Sequence, residues 1–445
     1  MPANRLAFVA LLVLLSALFL FADTLWPQPF GYFAFRAVFL QWSGILAIGA
    51  MSVALLLALR PRRLERPLDG LDKMYRLHKW LGIGALVLAI AHWWFAQGTK
   101  WMVGWGWLER PVRGGRAAAP EPSTVEAWLS AQRGLAESVG EWAFYAAAVL
   151  LVLALVQRFP YHLFARTHKW IALAYLVLVF HAIVLVRFTY WSEPIGWVLA
   201  LLLAGGSMAA LLALFGRIGA RRKVRGTITA ITHYPELDVL ETIVELAPGW
   251  PGHASGQFAF VTSEAREGAH PYTIASAWHA EAPTLRFVTK ALGDHTRRLR
   301  ERLQVGLPVT VEGPYGCFNF DDGRARQIWI GAGIGITPFI AQMKQRAAEP
   351  SPVVVDLFHT TAVEERAALE KLHADAAASG VRLHLLVDAR HGRLSGERLR
   401  AAVPDWAQAS VWFCGPPHFG RALRADLVAH GLPAARFHQE LFQMR

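Results

Sequence analysis

The 445-residue sequence has few cysteines and few charged residues for its length. Its two cysteines, Cys317 and Cys414, cannot build a disulfide framework or a four-cysteine metal site, so cysteine does not hold this fold together. Charged residues make up 18% of the chain, whereas a soluble protein has about a quarter. Hydrophobic residues reach 54%. This composition excludes a disordered chain, a disulfide-rich secreted module and a purely soluble enzyme.

Acidic residues are also scarce beside basic ones. The chain has 45 Lys and Arg against 33 Asp and Glu, which gives a formal net charge of +12. A nucleic-acid-binding protein carries such a charge, but it does not need so much apolar sequence, so we expect no nucleic-acid partner. The role of the basic residues must therefore be inferred from where they lie along the chain.

The apolar excess lies in six uncharged stretches of the first half. They cover residues 6–22, 37–59, 80–99, 142–157, 170–186 and 194–216. About 20 apolar residues span a lipid bilayer, so the stretches predict a bundle of six transmembrane helices. We expect the first stretch to be a retained helix and not a signal peptide, because no A-x-A-like cleavage site follows it.

Basic residues divide unequally between the two sets of connecting loops. The loops after the second, fourth and sixth stretches carry fifteen Lys and Arg, whereas the other set carries seven. The positive-inside rule therefore predicts a multi-pass protein of the cell membrane, with the N-terminus and everything after residue 216 in the cytoplasm.

Four histidines lie in pairs within this bundle. His78 and His92 lie near the two ends of the third stretch, and His168 and His181 near the two ends of the fifth. Both helices run in the same direction, so His78 matches His168 in depth and His92 matches His181. Fourteen residues of helix rise about 21 Å, which leaves room for two stacked cofactors. Because a histidine on each side of a haem iron fills both axial positions, the pairs predict two bis-histidine b-type haems.

Two other interpretations of these histidines stay open. A membrane histidine is often a hydrogen-bonded structural residue, and a series of histidines can relay protons in a transporter. The fifth stretch also raises a geometric problem. Thirteen residues turn an ideal helix by about 220° net, so one face does not hold both His168 and His181. A bend or a π-bulge is required there, and the sequence shows no signal for either.

The second half of the chain changes to short strands separated by turn residues. Strands predicted at residues 226–232, 238–245, 257–262, 284–290 and 308–312 indicate a small antiparallel β-barrel. Strands predicted at residues 327–330, 353–358, 382–387 and 411–414 alternate with helical segments and indicate a doubly wound parallel sheet. The expected fold is therefore an all-α six-helix membrane bundle, followed by an antiparallel β-barrel and an α/β domain.

Three motifs in this half carry chemistry. Residues 270–276, HPYTIAS, offer an aromatic ring, hydroxyl groups and an imidazole that suit a flavin. Residues 331–338, GAGIGITP, follow a strand and open a helix, so their backbone N–H groups suit a pyrophosphate. Residues 414–417, CGPP, end the last parallel strand, at the edge where such sheets bind ligands. Cys414 is alternatively a small buried apolar residue, the commoner role of a free thiol.

The membrane histidines, these motifs and the C-terminal Glu-Leu-Phe run together resemble the NADPH oxidase and ferric reductase superfamily. The resemblance covers the chain from about residue 75 to its end. It implies a di-haem membrane domain at residues 1–220, an FAD-binding barrel at 221–323 and an NAD(P)H-binding domain at 324–445. The last two domains would be similar to ferredoxin–NADP reductase.

The resemblance also implies roles for individual residues. The inner haem would be held by His78 and His168, and the outer haem by His92 and His181. FAD would be held by His270, Pro271, Tyr272, Thr273 and Ser276, and by a second segment that contains Lys290, Gly293 and Thr296. The nicotinamide nucleotide would be held by Gly331, Gly333, Gly335, Thr337, Pro338 and Gly415. Cys414 would lie near the nicotinamide, and Phe442 would cover the flavin.

The implied activity is an oxidoreductase that passes electrons from cytoplasmic NAD(P)H through FAD and both haems to an acceptor on the outer side. Dioxygen, giving superoxide, is the first expectation, with a ferric chelate or a periplasmic or membrane partner protein as alternatives. Arg36 begins the second stretch at the outer side, where it either marks topology or meets haem propionates or an anionic acceptor.

The choice between NADPH and NADH depends on the end of the strand at residues 353–358. The strand ends in His359, Thr360 and Thr361, with no Asp or Glu at its tip to hold a ribose hydroxyl. Thr361, Arg366 and Arg390 are then candidates to meet the 2′-phosphate of NADPH, although all three suit a solvated surface equally well. The sequence therefore slightly favours NADPH and leaves NADH open.

Overall fold

The computed structural model describes residues 2–109, 124–156 and 158–440. These residues form two compact units. The first consists of the chain up to Leu64 and Lys73–Ile218, and the second of Glu65–Asp72 and the chain from Gly219 onward. Each unit is built around hydrophobic cores of its own.

Helices make up the first unit in its described residues. The α-helices are α1 (Pro2–Ala22), α2 (Tyr32–Ala58), α3 (Arg62–Glu65), α4 (Leu71–Trp93), α5 (Thr99–Gly104), α6 (Thr124–Ala131), α7 (Arg133–Leu155), α8 (Tyr161–His168), α9 (Ile171–Leu185) and α10 (Pro194–Leu214). A π-helix, Trp94–Gly98, joins α4 to α5. Six helical segments are long and apolar enough to cross a membrane, which confirms the six apolar helices predicted from the sequence.

The helices of this unit turn apolar side chains outward and pair their polar groups inside. Phe21 and Leu201 are 77% and 74% exposed, an arrangement that suits contact with lipid. In the interior, Tyr175 is fully buried, and its hydroxyl lies 2.8 Å from Oγ of Ser52. The two side chains join α9 to α2 by a hydrogen bond that satisfies both polar groups.

The fifth membrane segment is broken between its two histidines. α8 ends at His168 and α9 begins at Ile171, with a turn between them. In this turn, the N–H of Trp170 donates to the carbonyl of Thr167 at 3.0 Å, which is the tighter i→i−3 pattern of a 3₁₀ turn. The break lies between His168 and His181, where their spacing requires a departure from an ideal helix.

The second unit begins with a six-stranded antiparallel sheet. Its strands are β1 (Lys223–Tyr234), β2 (Val239–Leu246), β3 (Phe258–Thr262), β4 (His270–Thr273), β5 (Thr284–Lys290) and β6 (Pro308–Tyr315), in the order β4-β3-β6-β1-β2-β5. A bridge between Ile274 and Phe287 links the two edge strands, so the sheet curls towards a barrel. The HPYT residues form the short edge strand β4, which the sequence analysis did not predict as a separate strand.

A five-stranded parallel sheet completes the second unit. Its strands are β7 (Arg326–Ala332), β8 (Val354–Thr361), β9 (Arg382–Val387), β10 (Ser410–Cys414) and β11 (Phe437–Gln439), in the order β11-β10-β7-β8-β9. The helices of the unit are α11 (Asp294–Arg302), α12 (Thr337–Ala348), α13 (Arg366–Ser379), α14 (Asp388–His391), α15 (Gly396–Ala402) and α16 (Pro417–Ala429). The strand order reverses between β7 and β10, and open α/β sheets bind ligands at such a switch point. The barrel, the parallel sheet and the helical bundle together confirm the expected fold class.

Candidate functional site: two histidine pairs and a nucleotide cleft

The four histidines face each other in the pairs that the sequence predicts. The ring centroids of His78 and His168 are 5.9 Å apart, with the ring planes 65° from parallel. Those of His92 and His181 are 6.3 Å apart at 72°. A metal ion bound to one nitrogen of each ring needs metal–nitrogen bonds of about 2 Å, and two such bonds plus the ring radii account for a separation of this order. Each pair could therefore hold one metal between its rings.

Backbone carbonyls orient one histidine of each pair. Nδ1 of His78 lies 2.8 Å from the carbonyl oxygen of Ala54, and Nδ1 of His181 lies 2.8 Å from that of Ala136. A carbonyl oxygen only accepts, so Nδ1 of each ring carries the proton and donates it. Nε2 is then left with its lone pair, the form in which a neutral imidazole binds a metal.

The side chain of a serine orients the ring of His92, as backbone carbonyls orient the rings of His78 and His181. Oγ of Ser43 donates to the carbonyl of Phe39 at 2.6 Å and lies 3.2 Å from Nδ1 of His92. Because the only hydroxyl proton of Ser43 is used on Phe39, the serine oxygen accepts from Nδ1. Sequence reasoning missed Ser43, since a serine within an apolar helix carries no local signal of what it faces.

Two glycines let neighbouring helices approach the rings of the second pair. A side-chain Cβ on Gly140 of α7 would collide with the ring of His181, and one on Gly44 of α2 would lie 3.2 Å from Cε1 of His92. At each glycine, a larger side chain would therefore meet the ring of the neighbouring histidine. Neither glycine was identified from the sequence, because the contact joins residues on different helices.

Arg36 binds the backbone of the π-helix. Its Nε donates to the carbonyl of Phe95 at 2.7 Å and to Oγ1 of Thr99 at 3.0 Å, and Nη2 donates to the carbonyl of Ala96 at 3.2 Å. The π-helix begins two residues after His92 and shifts the carbonyls of this turn out of the regular helical pattern. Arg36 thus supports the segment that follows His92, a role that the sequence analysis did not consider.

The HPYT strand places a buried hydroxyl and two stacked imidazoles together. Oγ1 of Thr273 is buried and has no hydrogen-bond partner within residues 2–109, 124–156 and 158–440. The rings of His270 and His295 stack 3.6 Å apart, and Nε2 of His295 lies 2.9 Å from the hydroxyl of Tyr272. Burial and the neighbouring His295 lower the pKa of His270 to about 4, so its imidazole is neutral near pH 7. His295 was missed by the sequence analysis.

The other residues assigned to FAD have varied surroundings. Pro271 pairs with Phe260 in the edge strand, and Oγ of Ser276 accepts from the N–H of Arg286 at 3.2 Å. Oγ1 of Thr296 accepts from the N–H of Gly293 at 3.0 Å, at the start of α11. Lys290 ends β5 and lines a cleft that Gly333 of the glycine-rich loop also lines.

The glycine-rich loop connects β7 to α12 as predicted. Gly333 has φ of +56°, a left-handed conformation that favours glycine. A Cβ on Gly335 would collide with the carbonyl of Cys414 at the end of β10, so glycine allows the loop to cross the switch point. Oγ1 of Thr337 donates to the carbonyl of Ile334 at 2.7 Å, and Pro338 stands in the first turn of α12. Gly331 contributes the end of β7, beside His359 of β8.

Cys414 meets the glycine-rich loop through its backbone. Its side chain is fully buried, and burial raises the pKa of the thiol well above its usual range. This environment favours the alternative of a small apolar core residue. The backbone of the adjacent Gly415 lies against Ala332 of β7. Phe442, which was expected to cover the flavin, lies outside the described residues.

The residues considered for a 2′-phosphate already have protein partners. Nη2 of Arg390 lies 2.9 Å from Oε2 of Glu364, and Nε of Arg366 lies 2.7 Å from Oε1 of Glu370. Oγ1 of Thr361 donates to the carbonyl of Val363 at 2.8 Å. Thr361 lines the same cleft as Gly333 and Lys290. The geometry therefore supports a position of Thr361 beside the expected nucleotide site.

Comparison with known proteins gives matches to both halves of the chain. Glycine betaine monooxygenase reductase subunit from Chromohalobacter salexigens is 26% identical over 157 residues, which are 32% of this chain and 43% of that protein. The chain thus spans less than half the length of this relative. A flavohemoglobin structure from Malassezia yamatoensis aligns with a TM-score of 0.49 and 16% identity, over 92% of this chain and 98% of that chain.

The membrane half has its own matches. Ferric reduction oxidase 5 from Arabidopsis thaliana is 37% identical over 92 residues, which are 20% of this chain and 13% of that protein. Residues 43–179 match the family described as ferric reductase like transmembrane component, and this segment contains three of the four paired histidines. These matches and the six long apolar helices support a multi-pass membrane protein whose membrane half resembles that of the ferric reductase and NADPH oxidase-like superfamily.

Proposed function

We propose that this protein is a transmembrane oxidoreductase that takes electrons from a nicotinamide nucleotide in the cytoplasm and delivers them to an acceptor on the outer side. The observation that carries the proposal is the pair of facing imidazoles at each end of one bundle, 5.9 and 6.3 Å apart between centroids. The excess of basic residues in one set of loops supports a cytoplasmic second unit.

The histidine pairs suit haem iron. Nδ1 of His78, His92 and His181 donates to a carbonyl or a serine, so Nε2 of each ring is presented as a ligand. The two imidazoles of each pair would both ligate a bound haem iron and would leave no ligand position for another molecule. Bound there, haem supplies single-electron transfer, and FAD supplies the conversion of a hydride into single electrons. The protein's task is to hold and separate these groups.

The second unit offers residues that fit FAD and a nicotinamide nucleotide. The unpaired Oγ1 of Thr273 suits the polar edge of a flavin ring, with Tyr272 and His270 beside it. The loop at Gly333 and Gly335 leaves room for a pyrophosphate at the N-terminal end of α12. Lys290, which lines the same cleft as Gly333, adds a positive charge to it.

The test is haem content in single-histidine variants. The purified wild-type protein is expected to show a low-spin b-type spectrum that a nicotinamide nucleotide reduces after FAD is added. His92→Ala is expected to lose one haem and keep the other, because the pairs bind independently. His279→Ala, an exposed histidine of the second unit, is the matched control and keeps both haems. Retention of both haems in His92→Ala contradicts the ligand assignment.

Dioxygen is the acceptor that we propose first. If both histidine pairs hold haem iron, the histidines would leave no ligand position for an acceptor, so one-electron transfer without binding to iron would be the available chemistry, and with dioxygen it would give superoxide. Cytochrome c reduction in air is therefore expected to stop when superoxide dismutase is added. A rate that dismutase leaves unchanged contradicts this acceptor.

Ferric chelates are the second candidate, which the similarity to ferric reduction oxidase 5 favours. Reduction of ferric citrate without oxygen, at a rate that matches the turnover of the nicotinamide nucleotide, would support it. Oxygen consumption with and without the chelate distinguishes the two acceptors in one preparation.

A further inference from the structure

The end of strand β8 has a chemistry that bears on which nicotinamide nucleotide binds. In sheets of this type, the strand after the glycine-rich loop meets the ribose of the adenosine half of the dinucleotide at its carboxyl end. His359 and Thr361 lie two residues apart near that end of β8, so their side chains point to one face of the sheet. Both line the cleft that also contains Gly333.

His359 is held as a neutral hydrogen-bond acceptor. Its Nδ1 lies 3.0 Å from the carbonyl oxygen of Gly331, so Nδ1 carries the proton. Nε2 is then the acceptor of the ring, and the hydrogen bonds within residues 2–109, 124–156 and 158–440 do not involve it. The residue is 7% exposed, and burial lowers the pKa of the imidazole, so the ring stays uncharged near pH 7.

Thr361 presents an acceptor as well. Its hydroxyl proton is donated to the carbonyl of Val363 at 2.8 Å, which leaves the oxygen lone pairs for a ligand. Two acceptors on one face suit the hydroxyl groups of a ribose, because a hydroxyl can donate to them. A phosphate monoester is mostly deprotonated near pH 7, so it cannot donate hydrogen bonds to two acceptors. It binds instead to hydrogen-bond donors or cations.

The charges near the end of β8 also disfavour a phosphate. Arg390 and Arg366 are each paired with an acidic residue, Glu364 and Glu370 respectively. Glu365 adds a carboxylate to the cleft wall, and its Oε2 accepts from the N–H of Glu236 at 3.0 Å. Of the other cations that line the cleft, Arg286 and Lys371 are paired with Glu241, and Lys344 is paired with Asp375. A 2′-phosphate brings about −1.5 to −2 charges, and except for Lys290 the cations of this cleft already have carboxylate partners.

We propose that the physiological electron donor is NADH, and that Nε2 of His359 accepts a hydrogen bond from a hydroxyl of its adenosine ribose. This inference rests on the proposed function, and it reverses the slight preference for NADPH drawn from the sequence. It assigns the selectivity to an uncharged histidine in place of the acidic residue that usually holds this ribose.

The test is the reduction of bound flavin in the full-length protein under anaerobic conditions, titrated with NADH and with NADPH. NADH is expected to half-saturate the reaction at a concentration about tenfold lower than NADPH, with similar limiting rates. His359→Phe keeps an aromatic ring and removes the acceptor, so it is expected to raise the NADH half-saturation about tenfold and to leave that for NADPH unchanged. His359→Gln, which retains an acceptor oxygen, is expected to recover part of the loss.

His373→Phe, an exposed histidine of α13, is the matched control and leaves both nucleotides unaffected. Flavin content of each variant shows that the second unit is folded. A lower half-saturation for NADPH than for NADH in the wild-type protein overturns the inference and leaves the proposed function standing. An unchanged NADH half-saturation in both His359 variants overturns the role of this residue. Flavin that neither nucleotide reduces contradicts the proposed function, and the inference with it.

Discussion

Gly140 lies where helix α7 passes closest to the imidazole of His181. The same helix supplies the carbonyl of Ala136 that accepts from Nδ1 of His181. One turn of α7 thus provides both the space for the ring and the group that orients it. The position of this histidine therefore depends on a residue that has no side chain.

Gly140→Ala is expected to abolish haem binding by the His92–His181 pair, because the new methyl group occupies the place of the His181 ring. Gly134→Ala is the control on the same helix, since nothing lies within 4 Å of a Cβ there. Haem content per chain and the low-spin absorption spectrum provide the measurement. Equal haem content in the two variants would show that the ring of His181 can move aside.

At the scale of elements, the break between α8 and α9 solves a problem of rotation. His168 ends α8, and His181 lies ten residues after the start of α9. An unbroken helix separates the directions of these side chains by about 220° over thirteen residues. A 3₁₀-type turn at Lys169 and Trp170 interrupts the helix between the two histidines without a proline or a glycine.

Insertion of one alanine after Trp170 is expected to remove one haem. The insertion rotates α9 relative to α8 by about 100°, so His168 and His181 can no longer both face their partners on α4. An alanine inserted between Phe159 and Pro160, before α8 begins, keeps the relation between the two histidines and is the control. Haem content distinguishes the two insertions, and full haem content in both would contradict the role of the turn.

At the scale of the whole molecule, the sequence predicts what depends on local composition. The six apolar stretches, the depth of the four histidines and the strand–loop–helix context of GAGIGITP are all properties of neighbouring residues, and the structure contains each of these features. The short strand β11 was missed because three residues carry too little pattern.

What could not be predicted depends on contacts between distant segments. The acceptor for Nδ1 of His92 is a serine 49 residues away, and the partner of Nδ1 in His359 is a carbonyl 28 residues away. The break in the fifth segment contains only Lys169 and Trp170, neither of which ends a helix by its own preference. Tertiary packing decides such features, and single-sequence patterns do not contain it.

The central claim is that electrons cross the membrane through this chain. The most direct test uses sealed vesicles that carry the protein in their membrane and ferricyanide inside, in the absence of oxygen. The nicotinamide nucleotide is added outside, where it reaches the protein molecules whose second unit faces outward. The entrapped ferricyanide is expected to be reduced, and His92→Ala is expected to abolish this reduction while the flavin is still reduced. Flavin reduction in the wild-type protein with no loss of entrapped ferricyanide would contradict the claim.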